Sequence, residues 1–193
     1  MRIAVVGTSG SGKSTMAERL SVALGVPYVE LDAINWQAGW RDLQTDDPEE
    51  FKRRTAAATA DEAWVIAGNY SLVRPIFWPR LTHVVWLDYD RAVVMRRVLW
   101  RSLVRAIGGK ELWPGTGNRE RASQWLDKEH PIRWAWDTHA KNRERYAAMA
   151  ADPANAQIAF LRLRRPRDAE VVVERLKAEG DVTPWLTKTT LPA

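Results

Sequence analysis

Eight consecutive residues near the start of the chain, Gly7-Thr8-Ser9-Gly10-Ser11-Gly12-Lys13-Ser14, have types and spacing that suit one task, holding phosphate. Glycines at 7, 10 and 12 let the backbone turn tightly, so that successive N–H groups, those of Ser9 and Ser11 among them, point inward at anionic oxygens. Lys13 brings a positive charge to the β- and γ-phosphates and Ser14 offers its hydroxyl to Mg²⁺. Thr15 follows near the α-phosphate, and the helix that begins here turns its positive end toward the anion. A chance match in a glycine-rich turn is the alternative. What argues against it is context, because the apolar, β-branched run Ile3 to Val6 precedes the loop and helix-type spacing through Met16, Leu20 and Leu24 follows. The expected ligands are a nucleoside triphosphate and Mg²⁺.

Such a loop specifies a nucleotide, not a reaction. A base-reading Asn-Lys-x-Asp, usual in GTPases, is absent from the sequence. At 193 residues the chain is short for a motor or transport ATPase and suits a single domain of the small-molecule kinase type. In such kinases catalysis is positioning and charge neutralisation. Hydrophobic residues make up 46% and charged residues 27%, a globular balance. With no cysteine and three scattered histidines, disulfides, thiolate metal sites and thiol nucleophiles are excluded. No apolar run approaches membrane-spanning length, and the N-terminal apolar residues serve better as a strand than as a signal peptide, so the expected location is cytoplasmic. The net charge of +5 is concentrated between Arg91 and Arg145, on helix-forming segments. That stretch suits nucleic acid as well as phosphorylated metabolites, or a solvated helix face.

The elements that position the loop follow from pattern. Strands are expected at Ile3–Val6, Tyr28 to Asp32, Trp64–Ala67, His83–Leu87 and Gln157–Leu163, apolar on both faces as covered parallel strands require. Helices are expected from Ser14 to Leu24, from an Asp47 cap with Pro48 at the first position to about Asp61, from Arg91 to Ile107, and from Asp168 to Glu179. Gly108-Gly109 ends the third of these, and Lys110 to Asn118 has the composition of a mobile loop. Alternating strands and helices give an α/β fold, a P-loop three-layer sandwich with a five-stranded parallel sheet and an arginine-rich helical lid. The expected organisation is one domain over residues 1–180, with an acceptor-side insert at about 33–62, a lid at about 97–145, and a tail at 181–193 that packs through Trp185.

Asp32-Ala33-Ile34-Asn35-Trp36-Gln37-Ala38-Gly39-Trp40 and Trp64-Val65-Ile66-Ala67-Gly68-Asn69-Tyr70-Ser71, with the loop, resemble the bacterial adenylate-kinase-like family often labelled "DNA topology modulation proteins". Its fold is that of nucleoside monophosphate and shikimate kinases. The resemblance implies that Asp32 lies across from the phosphate loop and orients or deprotonates the acceptor, with a possible role toward Mg²⁺. Glu30, on the same strand face, is a second acid. Gly68-Asn69-Tyr70 and Arg74 correspond to the adenylate kinase segment that touches the acceptor, unless Gly68-Asn69 only makes a tight turn. Members carry Asp-Gly-Asn-Tyr here, whereas this chain has Ala67 at the first position, so Asp32, Glu30 or Asp88 must organise the metal.

By the same resemblance, Arg97 and Arg101 match the Arg-x-x-x-Arg that opens the adenylate kinase lid, with Arg97 stacking on adenine and Arg101 reaching phosphates. Arg119, Arg121, Arg133 and Arg143 are candidates to close over the transferring group, Arg133 toward the acceptor. Arg165 and its basic neighbours follow the fifth strand, where related kinases hold adenine. Trp36 and Trp40, just beyond Asp32, line an aromatic acceptor pocket or simply pack. His130 is given a local structural role. The function implied is transfer of the γ-phosphoryl group from ATP to a nucleotide, nucleoside or other small hydroxylated acceptor. A nucleotide-controlled ATPase or nucleic-acid binder is the alternative.

Overall fold

The structure, a computed structural model, describes residues 1–120, 125, 127 and 130–179. Five parallel strands, β1 (Arg2–Gly7), β2 (Tyr28–Glu30), β3 (Trp64–Ala67), β4 (His83–Leu87) and β5 (Ala159–Leu163), line up in the order β2-β3-β1-β4-β5. β1 is central, registered with β3 through Val5 opposite Ala67 and with β4 through Gly7 opposite Leu87. The phosphate loop therefore leaves the sheet at the middle of its carboxyl edge, where ligands of open α/β sheets collect.

Each face of the sheet is apolar and covered. One face, with Ile3, Val5, Val65, Val85 and Leu161, packs on α1 (Lys13–Leu24), α6 (Arg91–Gly108) and α8 (Pro166–Glu179) through Leu20, Val94, Val98 and Val173. The other, with Ala4, Val6, Trp64, Ile66 and Val84, packs on α4 (Pro48–Ala58), α5 (Arg74–Phe77) and the end of α7 (Pro131–Ala151) through Phe51, Phe77 and Tyr146. Each fully buried aliphatic or aromatic side chain in these layers contributes about 1.5–3 kcal/mol.

Several boundaries differ from expectation for local reasons. β2 ends at Glu30, and Leu31 begins a short helix, α2 (Leu31–Asn35), so Asp32 occupies a first helical turn instead of a strand end. Gly68 makes this possible: it sits at φ 138°, and a Cβ there would lie 2.6 Å from the Leu31 Cβ. α4 stops at Ala58, where the Thr59 hydroxyl donates to the Thr55 carbonyl. A short helix, α3 (Leu43–Asp46), is capped by Asp42. β5 starts two residues late because Ile158 N–H closes a turn on Asn155. The 21-residue α7 was not anticipated as one helix; His130 caps it and Pro131 occupies its first turn. α7 is tied to the rest of the fold, with His139 Nε2 donating to the Tyr89 carbonyl just beyond β4 at 3.0 Å and Tyr146 buried. Among the described residues no helix is long and apolar enough to cross a membrane. Arg121 and the 181–193 tail with Trp185 lie outside the described residues.

Candidate active site

Gly7, Gly10 and Gly12 all adopt positive φ, and Gly12 is the N-cap of α1, so Lys13 and Ser14 open that helix as the loop chemistry requires. The Lys13 ammonium donates to the Thr8 carbonyl at 3.2 Å, curling back over the loop. Burial lowers its pKa, partly offset by the nearby Asp32 and Glu30 carboxylates, while Arg101 reinforces the lowering. The Ser11 hydroxyl is buried without a hydrogen-bond partner. The Ser11 N–H is given to the Thr8 carbonyl at 3.1 Å and does not point inward as expected, but an unpaired buried hydroxyl in a turn of positive-φ glycines is what a phosphate oxygen would satisfy, so the cradle fits a nucleotide's phosphates.

Opposite the loop, Asp32 Oδ1 accepts from the Tyr70 hydroxyl at 2.8 Å. Glu30 is hydrogen-bonded by Tyr28 and lies against the Ser14 hydroxyl. Burial first, then the Asp32 charge, pushes the Glu30 carboxyl up. Among the described residues no three His, Cys, Asp or Glu side chains gather into a metal cage. One hydroxyl and two neighbouring carboxylates are nonetheless the donor set that suits Mg²⁺, which keeps waters and phosphate oxygens as its other ligands.

α6 closes the third side. Gly10 lets it approach, since a Cβ there would sit 2.8 Å from Val98 Cβ. Arg97 Nη1 donates to the Ser11 carbonyl at 3.0 Å and its guanidinium lies 5.3 Å from the Tyr89 ring. One turn on, Arg101 turns into the cleft. Its Nε is buried without a partner, and burial with repulsion from Arg105 pushes its pKa down to about 10, against attraction from Glu120, Asp32 and Glu30. Lys13, Asp32, Glu30 and Arg101 are thus brought together, two cations and two acids around one cleft.

Other expected site residues are engaged by the protein itself or lie apart from the cleft. Both ends of the Asn69 amide are used by the protein: Nδ2 donates to the Gly7 carbonyl at 2.7 Å and Oδ1 accepts from Tyr146 at 2.6 Å. Arg74 lies beside Trp78 and Arg145, away from Asp32. Arg133 is exposed and paired with Asp137 at 2.8 Å. Asp88 is not free to organise a metal, since Arg143 holds Oδ1 at 2.7 Å and Arg162 holds Oδ2. Arg165 follows β5 and is exposed, its N–H donating to Asp168 at 2.8 Å. Trp36 and Trp40 meet edge to face, centroids 5.8 Å apart. The sequence reading missed Tyr70 as a partner of Asp32; the only signal for it was its place two residues after Gly68.

No family model matches the chain. It is 30% identical over 139 residues to a shikimate kinase of Synechococcus sp., covering 66% of this chain and 69% of that protein. It is 33% identical over 132 residues to the shikimate kinase of Mycobacterium marinum, covering 63% and 67%. A further shikimate kinase, from Synechococcus elongatus, is spanned over 55% of its length at 30% identity. Among solved structures, the shikimate kinase from Acinetobacter baumannii in complex with shikimate superposes with a TM-score of 0.51 at 17% identity, covering 91% of this chain and 89% of that one. An unliganded sugar kinase from Janibacter sp. gives 0.50 at 22%, covering 97% and 98%. These structural likenesses are of fold. The relatives support P-loop kinase kinship, and the topology-modulation label is not shown by them.

Proposed function

The chain belongs to the shikimate kinase family, and from that premise we propose that it passes the γ-phosphoryl group of ATP, with Mg²⁺, to a small hydroxylated acceptor held beside Asp32. The observation that carries this reading is the convergence of Lys13, Asp32 and Arg101 on the cleft beside the phosphate loop. The chain is a P-loop phosphotransferase.

In this mechanism Lys13 and the loop amides of residues 8–12, apart from that of Ser11, which the Thr8 carbonyl holds, bind the β- and γ-phosphates. Ser14, Glu30 and Asp32 are the residues that would hold Mg²⁺, which when bound would supply positive charge beside the phosphates. Asp32 takes the proton of the acceptor hydroxyl as its oxygen bonds to the γ-phosphorus. The bond from that phosphorus to the β,γ-bridging oxygen breaks, its electron pair leaving with ADP. Arg101, poised without a partner on its Nε, stabilises charge on the transferring group, and Arg97 reaches the base side. The basic residues of the 91–145 stretch are in part engaged internally, as with Arg97, Arg105, Arg133 and Arg143, which favours the kinase over a nucleic-acid surface.

The test is ADP release with Mg²⁺ against a panel of nucleosides, nucleoside monophosphates and hydroxylated ring and open-chain metabolites, in wild type and Lys13→Ala. Acceptor-dependent turnover that falls about 10²–10³-fold in the variant is expected. Turnover retained by a folded Lys13→Ala protein, or no stimulation by any acceptor, refutes the reading.

A further inference from the structure

The loop that follows α6 is held by contacts of its own. The Glu111 carboxylate accepts from the Gly117 N–H and lies at the Thr116 hydroxyl, and Glu111 forms a bridge with Arg119. So folded, the loop delivers two side chains to the segment beyond α2. Trp113 lies nearly parallel to Trp36, with centroids 6.3 Å apart and planes at 16°, and edge-on to Trp40 at 6.1 Å. Asn118 is buried, at 2% exposure, and bridges the same segment: its Oδ1 accepts from the Trp40 N–H at 3.0 Å and its Nδ2 donates to the Gln37 carbonyl at 2.8 Å.

Trp40 itself is strained. Among the described residues it is the one non-glycine at positive φ, 62°. For a bulky aromatic this conformation is costly and persists only where surrounding contacts impose it, a pattern that collects at ligand clamps. Here the imposing contacts are Asn118 on its backbone and two indoles on its ring. The cluster also reaches the chemistry. Trp36 N–H donates to the Asp32 carbonyl at 3.0 Å, the Trp36 side chain contacts the Tyr70 hydroxyl, and that hydroxyl donates to Asp32 Oδ1.

We infer that Trp36, Trp40 and Trp113, latched by Asn118, form an aromatic clamp that grips the flat or C–H-rich face of a cyclic acceptor while Asp32 receives its hydroxyl. This rests on the kinase reading above and makes Trp113 and Asn118 specificity-determining residues that the loop after α6 supplies. Indole faces select ring-shaped, weakly polar surfaces, and a ring bearing hydroxyls offers both halves of the match. The latch also governs what attacks the γ-phosphorus. With the clamp closed on an acceptor, water is kept out. With it unlatched, a water oxygen forms the new bond to phosphorus, the bond to the bridging oxygen breaks, and ADP and inorganic phosphate result, the water proton passing to Asp32.

The experiment compares wild type, Asn118→Ala, Asn118→Asp, Trp113→Ala and Trp113→Phe with Mg²⁺, ATP and the best cyclic and best open-chain acceptors of the panel, quantifying ADP and phosphorylated acceptor separately. Trp113→Ala should raise KM for the cyclic acceptor about five- to tenfold, with KM for ATP changed less than about twofold, and Trp113→Phe should recover most of it. Asn118→Ala should raise ADP formed per acceptor phosphorylated by about threefold or more, and Asn118→Asp, which keeps only the acceptor half of the latch, should fall between. Unchanged cyclic-acceptor KM and unchanged coupling overturn the clamp, as does an equal rise in both KM values. If wild type phosphorylates no acceptor, the kinase reading has failed, and the latch is then judged by amide hydrogen exchange at Trp40. Faster exchange in Asn118→Ala supports it, and an unchanged rate overturns it.

Discussion

Placing one methyl group on Gly10 should separate the phosphate loop from α6. The added Cβ would lie 2.8 Å from Val98 Cβ and 3.2 Å from the Val94 carbonyl. Carbon atoms rest about 3.5–4.0 Å apart, so loop and helix must part by about 1 Å. α6 carries Arg97, bonded to the loop at Ser11, and Arg101, which faces Lys13 and Asp32. A displacement of about 1 Å in a positioning group costs about 10²-fold in rate. Stability falls too, by about 1–2 kcal/mol for a β-carbon at φ 83° and about 1–3 kcal/mol for overpacking. Together these lower Tm by roughly 5–15 °C for a chain of this size. Gly25→Ala is the matched control, at φ 65° with nothing within 4 Å of the new Cβ. It should lose about 1–2 kcal/mol and keep wild-type turnover. Acceptor-dependent ADP release and thermal melts of both variants decide the matter. Gly10→Ala turning over within about threefold of wild type, or both variants losing rate equally, would refute the coupling of loop to helix.

Asp88→Ala removes a side chain 4% exposed and leaves Arg143 and Arg162 facing each other. Breaking a buried pair costs about 3–5 kcal/mol, but both arginines are partly in water, so about 2–3 kcal/mol and a Tm lowered by roughly 4–12 °C are expected; an unchanged melt would show that the hub contributes nothing. Lys13 titrates below its ordinary 10.5 because it is buried, so kcat/KM should decline on an alkaline limb that begins below that value. Between the lowered and the ordinary pKa the unfolded chain binds the proton more tightly, so stability rises with pH there and the decline in rate is not unfolding. A rate profile flat to pH 10.5 would contradict the burial of Lys13.

The parts of this protein that are local were legible in its sequence. β3 and β4 lie where their apolar runs begin and end, at Trp64–Ala67 and His83–Leu87, and Asp47-Pro48 starts α4 because cap and proline act within one turn. Gly12, Lys13 and Ser14 fall at the loop-to-helix junction for the same reason. What escaped depends on partners distant in sequence. Nothing near Asp88 announces that Arg143 and Arg162 will occupy it, and Asn69 gives its amide to Gly7 and Tyr146 instead of presenting it to the cleft. The turn at Glu30–Leu31 that tilts Asp32 into a helix depends on Gly68, whose missing side chain matters only once β3 lies alongside. The resemblance to the adenylate kinase lid singled out Arg101, whose charge acts on Lys13, but the same reasoning could not separate it from Arg133, which pairs on the helix surface.

The central position of β1 has a consequence for synthesis. The strand that carries the phosphate loop is made first, yet both of its neighbours, β3 and β4, are made later, and the buried Asp88 beside it awaits Arg162 on β5. At about 5–20 residues per second, roughly 8–30 s separate translation of Gly7 from that of Leu163. Until β3 and β4 have been made, the nascent chain holds a nucleotide loop that has no sheet to brace it. ATP can favour the final topology only once those neighbouring strands have been made, so the nucleotide acts late, as a clasp on an assembled sheet and not as a template for it.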